Sequence, residues 1–561
     1  MTPQETITPL SSPVRTHAAE NKDASQVDAM LQNRWAQVLL PSFSDLFFIA
    51  LMCWLFMGAA GWSGLLVDAD VGWHIRNGEW ILNHHAVPHQ DLFSFSKPGA
   101  PWYAWEWLSD VLDASLFHWA GLKGVVLAAG LAIALFGVSL VRRILRTGVN
   151  LFAAMLVGLL GVGTASMHYL ARPHIFTLLL LSGCMWLVET DLDGSASSTG
   201  VSRKRIYWLV PIVCVWTNLH GGFLVMVAVL GVIAVGLAIE ALLKSSDDLT
   251  KPTLASRIHN ANWSQTMRYA LLTVACAAVS LVNPYGWGLH QHIVEYMRSD
   301  WIMNVVQEFR SPSFRGETML QFEVLLFSGL IAAGHLLRRR RVAQGLLILF
   351  FSYLALSSAR HVPLFVAATL PLIAAEVAEW WATFTKNAPK GSLRKILNQM
   401  AEDSLPGFRR TSIWPVAFVA ALIFIGKPIK WPEDFPSEIF PVSIVKSHEA
   451  QIVASRVLTT DQWADYLIFR NPTKQRVFVD GRSDFYGEKI GNQYIQLLNG
   501  AWDWERTLNQ YQFTMALLPV EQPVVQLLKQ SPDWRVVQDD GKRILLERRA
   551  AAAEVAQTKT P

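Results

Sequence analysis

The sequence predicts a polytopic α-helical membrane protein with a small C-terminal α/β soluble domain, and three observations predict it. Hydrophobic residues make up 52% of the 561-residue chain and charged residues only 16%, against about 25% charged in ordinary soluble domains. The deficit is uneven: long apolar blocks alternate with short charged ones from Leu46 to Pro428, and the remainder has a soluble composition. Lysines and arginines gather in short runs after alternate apolar blocks, the asymmetry that marks cytoplasmic loops. The formal charge is only +4, and its placement suits a membrane surface and argues against nucleic acid as a partner.

Residues 1–34 are polar, carry no cleavable-signal pattern and read as a disordered cytoplasmic tail. Crossing the hydrocarbon takes about 20 helical residues. The transmembrane region, 35–429, holds about eleven candidate transmembrane helices, at 46–66, 121–141, 149–168, 173–190, 206–219, 223–243, 267–283, 319–337, 343–358, 362–381 and 412–428. Basic clusters follow the even-numbered spans: Arg142, Arg143 and Arg146; Arg203, Lys204 and Arg205; Lys244, Lys251 and Arg257; Arg338 to Arg341; and Lys386, Lys390, Arg394, Lys395, Arg409 and Arg410. A cytoplasmic N-terminus puts all of them inside. Residues 430–561 then lie outside, in the periplasm or extracellular space of a bacterial cell. The four cysteines, Cys53, Cys184, Cys214 and Cys276, all sit in apolar blocks and read as buried small side chains.

Ile206 to Leu243 is almost continuously apolar but broken by Asn218, His220, Gly221 and Gly222. Two antiparallel helices joined by a Gly-Gly turn fit better than one over-long span. The first is short, so its tip is recessed, and backbone turning at that depth must face protein or a water-filled cavity.

The outside loops hold the candidate chemistry. The first, 67–121, opens with Asp68 and Asp70, followed by His74, Arg76 and Glu79. The spacing from Val71 to Leu82 predicts a short amphipathic helix lying at the interface. Trp102, Tyr103, Trp105 and Trp107 match interfacial anchors, with sugar stacking as the alternative for one or two. A carboxylate beside low-dielectric surroundings, with an arginine at hand, can be tuned as a general base. Asp68 and Asp70 are the candidates for that role, and capping of the helix is their other reading. His74, His84, His85 and His89 match no strong metal-ligand spacing. Glu106 and Asp110 either join a carboxylate cluster with Asp70 or line a solvated face. Arg172 and His174, Asn218 and His220, Asn283, and Arg360 with His361 all stand at outer span ends, where polar groups are costly unless they serve a site or one another. Arg172 and Arg360 suit a phosphate, with snorkelling as the alternative. The outside loop 284–318 carries Glu308 as a further substrate contact and is long enough for a lid.

In the soluble domain, Trp463–Leu467 reads as helix and Arg476–Asp480 as a buried strand. The Asp480-Gly481-Arg482 turn is either a ligand loop or an internal ion pair. Phe513–Leu518 reads as a strand, and Asp533–Val537 with Arg543–Glu547 as a hairpin around Asp539-Asp540-Gly541. A glycine-rich nucleotide loop is missing.

An acidic pair in a long first outside loop, beside a short interfacial helix, resembles the GT-C superfamily of membrane glycosyltransferases. The stretches DADVGWHIRNGEWILNHHAVPHQDLFSF and FVDGRSDFYG and the Asn283-Pro284 turn also resemble a group of bacterial multi-pass membrane proteins. The resemblance implies a GT-C-like architecture, a polyprenyl-phosphate-linked sugar donor lodged among membrane lipid, and a glycan, lipid or protein acceptor. It implies inverting single displacement with Asp70 or Asp68 as base, with no cofactor or with a divalent cation such as Mg or Mn. The WWD-type motif of protein N-oligosaccharyltransferases is absent, so a reaction class is implied and not a substrate. The alternatives are a non-catalytic assembly or export component of a cell-surface polysaccharide system, and a transporter. The latter expects internal repeats, and none is visible.

Overall fold

The computed structural model describes residues 34–193, 204–246, 263–316, 319–389, 391–408, 411–424 and 429–549. The tail expected over 1–34 lies, but for its last residue, outside the described residues, as do Arg203, Lys251, Arg257, Lys390, Arg409 and Arg410.

A helix occupies each of the eleven apolar blocks: Phe43–Met57, Trp107–Arg146, Leu151–Ala165, His174–Leu192, Leu209–Leu219, Leu224–Ser246, Ser264–Val279, Met319–Arg338, Val342–Ser357, Val362–Lys386 and Trp414–Phe424. Among the described residues, six helices are long and apolar enough to cross a membrane, and shorter apolar ones stand beside them. The chain is a polytopic α-helical membrane protein with a small C-terminal β-containing domain.

Local chemistry sets the helix boundaries. Ser42 and Asp45 form a reciprocal capping box at the start of Phe43–Met57. The 107–146 helix breaks at Gly121, whose φ of 62° and ψ of −158° suit only glycine. The break separates a polar first segment from the apolar stretch where the second span was expected. Deep in the bundle Arg143 is buried, paired with Glu189 at 2.6 Å and donating to Ser182 Oγ and the Ala367 carbonyl. A lone cation there would be prohibitive. Satisfied, it ties three helices together.

The helix expected at 71–82 forms as Asp70–His84 and ends at His85 in the left-handed conformation (φ 52°). Most of its first two turns are buried. Gly78 is pressed against the Asp110 backbone carbonyl and Ala114, and Gly72 against Phe469 and the Asp465 backbone. Six residues of helix rotate by about 240°, so the two glycines open different faces. The helix is sandwiched between the polar start of 107–146 and the soluble domain's Asp461–Arg470 helix. Two of the tryptophans are also taken up by protein. Trp102 is buried beneath Arg482, and Trp107 Nε1 donates to Asn218 Oδ1.

The C-terminal domain carries a four-stranded sheet in the order β1 (Val457–Leu458), β2 (Met515–Pro519), β4 (Arg543–Arg548), β3 (Trp534–Asp539). The β1–β2 pair is parallel and the other two are antiparallel, with Leu517 opposite Leu545. The expected hairpin is β3–β4. Gly541 at φ 84° makes its turn, and Asp540 Oδ1 accepts the amides of Lys542 and Arg543. The expected strand 476–480 is not a sheet member. Its edge pairs instead with the loop after the Asp70–His84 helix, Phe95 N donating to Val477 O and Val477 N to Phe93 O. Further ties are Arg482–Asp91 at 2.8 Å, His292–Asp484 at 2.9 Å and Trp301 Nε1 to Asn492 Oδ1 at 2.7 Å. The domain is thus sewn to both long loops, 67–106 and 284–318.

Candidate active site

The helix ends on one side of the bundle converge under this domain. Asp68 and Asp70 precede and open the Asp70–His84 helix, and Asp68 Oδ1 accepts the Asp70 amide at 2.9 Å. One guanidinium bridges them: Arg172 reaches Asp68 Oδ2 at 2.7 Å through Nη1 and Asp70 Oδ2 at 2.6 Å through Nη2. The two carboxyls differ in surroundings. Asp68 keeps some solvent access, whereas Asp70 is buried at 4% exposure. Burial works against ionisation of Asp68, but Arg172 and the Asp70 amide outweigh it and hold its carboxyl below the usual range. Burial and the neighbouring Asp68 charge push Asp70 well above that range despite Arg172. The pair acts as a unit in which Asp68 keeps the charge and Asp70 the proton.

Asp70 faces the soluble domain. The Gly481 amide donates to both oxygens of Asp465 at 3.1 and 3.2 Å, and Gln462 Nε2 lies 3.5 Å from Asp70 Oδ1. Asp465, on the Asp461–Arg470 helix, is driven up by burial and by the neighbouring acids Asp70 and Asp480. Sequence reasoning missed it. The available signal was an acid inside the apolar run Trp463–Phe469, on a face that must be buried.

Around the other side of Arg172 lie Glu308, Arg360, His168 and His174, near enough that their charges act on one another. Burial opposes ionisation of Glu308, but Arg360 and then Arg172 hold it down to about 2. Arg360 sits 4.4 Å over the Phe309 ring, and among the described residues no carboxylate lies within ion-pair distance of it. His174 Nε2 bonds to the His168 carbonyl, while His168 Nε2 is buried without a partner. His361 Nδ1 meets Leu354 O at 3.2 Å.

A second line of polar groups runs back from the rim. Asn77 donates to Asp110 Oδ2, and Asp110 Oδ1 meets His74 Nδ1 at 2.5 Å. His74 Nε2 is 3.6 Å from Glu106, whose other oxygen is 3.4 Å from His220 Nε2. His220 Nδ1 meets Thr177 Oγ1 and accepts the Gly222 amide at 2.9 Å. A Cβ on Gly222 would strike Thr177 and this imidazole, so the Gly-Gly turn is what lets His220 point inward. Burial lowers His74 to about 4 and raises Glu106 to about 7. Glu106 and Asp110 therefore sit in the interior, not on a solvated face.

Other candidate positions make no direct bond to Asp68, Asp70 or Arg172. Arg76 pairs with Glu79 at 2.8 Å and donates to the Phe469 carbonyl, between the rings of Phe117 and Phe469. The Asn218 amide donates to Cys214 O and Val282 O, and the Asn283 amide to Ser280 O and Gly286 O. Asp480 and Arg482 form a buried network with Asp91 and Tyr486. Each of these closes a turn or a domain seam.

Among the described residues, one histidine–carboxylate group, His335, Glu376 and Glu379, brings its ligand atoms close enough to share a metal ion. It sits near the far ends of the Met319–Arg338 and Val362–Lys386 helices, opposite Arg360, and Glu379 is already paired with Arg339. At the Arg172 cluster, Asp68 and Glu308 are ionised oxygen donors that feel each other's charge, the ligand type a hard divalent cation takes.

No family model matches the chain, and no curated protein matches it. Solved structures do. The archaeal oligosaccharyltransferase AglB from Archaeoglobus fulgidus, in complex with an inhibitory peptide and a dolichol-phosphate, aligns with a TM-score of 0.51 at 12% identity. It covers 85% of this chain and 68% of that one. The apo form of an oligosaccharyltransferase from the same organism aligns with a TM-score of 0.47 at 11% identity, covering 85% and 69%. The chain shares the AglB fold.

Proposed function

We propose that this protein transfers a sugar from a polyprenyl-phosphate-linked donor to an acceptor at the outer face of a bacterial cytoplasmic membrane, with GT-C-like architecture and residues 430–561 outside. The observation that carries the reading is the Asp68–Arg172–Asp70 bridge with Glu308 and Arg360 beside it. The arrangement stands at span ends, where a carrier lodged in hydrocarbon and a hydrated acceptor can meet. It stands opposite the ends that carry Arg142, Arg146 and Arg338 to Arg341, which the charge bias assigns to the cytoplasm. The fold shared with AglB, a protein solved with a dolichol-phosphate, supports the donor class.

In this reading Asp68, the ionised member of the pair, takes the proton from an acceptor hydroxyl as its oxygen bonds to the anomeric carbon. The bond from that carbon to the phosphate oxygen breaks, and the phosphate leaves with the electron pair. One displacement inverts configuration. Arg360, which makes no direct ion pair among the described residues, receives the phosphate charge. Arg172 and the protonated Asp70 fix the orientation of Asp68. Where a divalent cation takes part, Asp68 and Glu308 would hold it, and it would supply charge neutralisation at the leaving phosphate.

The test uses the full chain in nanodiscs with a polyprenyl-phosphate-linked sugar and envelope extract as acceptor source, following release of the polyprenyl phosphate. Asp68→Asn is expected to abolish release, and Arg360→Ala to raise the donor concentration needed, both read at a temperature where melting curves show the variant folded. Undiminished release by Asp68→Asn removes the base and with it the mechanism.

A further inference from the structure

At the ends of the helices remote from Arg172, a cavity of about 250 Å³ is lined by Arg146, Trp186, Leu187, Thr190 and Arg205. That is room for about eight waters, enough for a phosphodiester with part of its shell. Two guanidiniums face it. Arg146 is held in place, its Nη1 donating to Thr190 Oγ1 at 2.8 Å and its carbon 5.2 Å over the Trp186 ring. Thr190 is itself fixed by donating to the Trp186 carbonyl at 2.7 Å. Arg205 makes no hydrogen bond or ion pair among the described residues. The acids nearby are largely spent: Glu189 on Arg143 and Asp191 on Arg268, leaving Asp193 near Arg146. One turn beyond Arg205, Tyr207 and Trp208 are 53% and 64% exposed, the residue types that collect where lipid headgroups meet the hydrocarbon. Leu187 supplies an apolar wall.

We propose that this cavity is a binding site for the headgroup of an anionic phospholipid, with Arg146 and Arg205 on the phosphate and Tyr207 and Trp208 beside the upper acyl chain. A rigid, pre-placed guanidinium loses little on binding. A basic pocket between helix ends on the positive side of a membrane protein faces the leaflet where anionic headgroups are drawn in. The site is independent of the sugar-transfer reading, since it lies at the other end of the bundle.

Native mass spectrometry of the full chain released from detergent, titrated with phosphatidylglycerol or phosphatidylcholine, tests it. The wild type is expected to retain phosphatidylglycerol about tenfold better than phosphatidylcholine. Arg146→Gln with Arg205→Gln is expected to lose that preference, while Arg339→Gln, at a basic residue already paired with Glu379, keeps it. The single Arg205→Gln, at an exposed side chain, is expected to reduce it several-fold and covers failure of the double variant to fold. Equal retention of the two lipids by the wild type overturns the proposal, as does a double variant that keeps the preference. Protection against heating by inorganic phosphate without lipid retention assigns the cavity to a soluble anion and overturns it too.

Discussion

Replacing Gly481 by alanine tests the seam between the soluble domain and the candidate active site with a single methyl group. Its backbone needs no glycine, because its φ is not in the left-handed region; only space forbids a side chain. The added Cβ would stand 2.9 Å from Asp465 Oδ2 and 3.0 Å from Asp70 Cγ, and closer still to Asp70 Oδ1. Asp70 would have to retreat by about 1 Å to restore ordinary van der Waals contact. Its Oδ2 is bonded to Arg172 at 2.6 Å, so a shift of that size disturbs the geometry of the pair. Overpacking of this kind costs about 1–3 kcal/mol. Thermal melting of the purified protein should therefore fall by several degrees, and release of polyprenyl phosphate should fall at least about tenfold, since about 1.4 kcal/mol of lost transition-state positioning is enough. Gly183→Ala is the control. That glycine is on the His174–Leu192 helix with nothing within 4 Å of the added carbon, so alanine should be neutral or stabilising by up to about 1 kcal/mol. Gly481→Ala that melts and turns over like Gly183→Ala would refute the docking of the 480–482 turn on Asp70.

Three further outcomes are expected. Glu106 has its carboxyl raised from 4.5 to about 7 by burial, so its stabilising protonation is complete below 4.5 and is lost as pH rises through 7. Glu106→Gln removes that loss, and its melting temperature relative to wild type should climb between pH 5 and pH 8 by an amount reflecting at most about 3 kcal/mol; a difference independent of pH would sink the assignment. Arg172→Met strips two carboxyls of their shared partner and should cost about 3–5 kcal/mol, and Arg172→Lys should recover only part of it because an ammonium cannot fork across both acids; melting checks both. Arg482→Met leaves Asp480 and Asp91 buried without their cation, which should cost a similar 3–5 kcal/mol or so and raise amide exchange over Phe93–Ser96, where the first outside loop pairs with Val477.

How much of this was legible in the sequence depends on what each feature rests on. Span positions were legible because apolar length is a local property, and all eleven blocks carry helices. The Gly-Gly turn at His220 and the Asp-Asp-Gly hairpin were legible because a turn is written in adjacent residues. Features settled by a distant partner were not. The Asp70–His84 helix has an interfacial pattern, yet Gly72 and Gly78 let two other helices close on it. The aromatic run 102–107 reads as a membrane belt because Arg482 and Asn218, which take up Trp102 and Trp107, lie far along the chain. The segment 476–480 has the composition of a strand, but its pairing edge goes to Phe93–Phe95, nearly four hundred residues earlier in the chain.

The same distinction bears on the two aspartates. From sequence alone Asp68 and Asp70 are equivalent acids two residues apart. The structure makes them unlike, and the difference arises from residues more than a hundred positions away. Arg172 gives both a cation, but the soluble domain covers only Asp70, with Asp465 and the Gly481 backbone on its outer side. Covered, Asp70 holds its proton and cannot take up another from an acceptor hydroxyl; partly open, Asp68 stays ionised. A general base must be both deprotonated and reachable, so the domain that buries one aspartate thereby selects the other. It follows that Asp70→Asn, which preserves a neutral side chain of the same shape against Asp465, should retain far more activity than Asp68→Asn. Equal loss in the two variants at equal melting temperature would mean that Asp70 ionises during turnover and that the 480–482 turn must lift away from it.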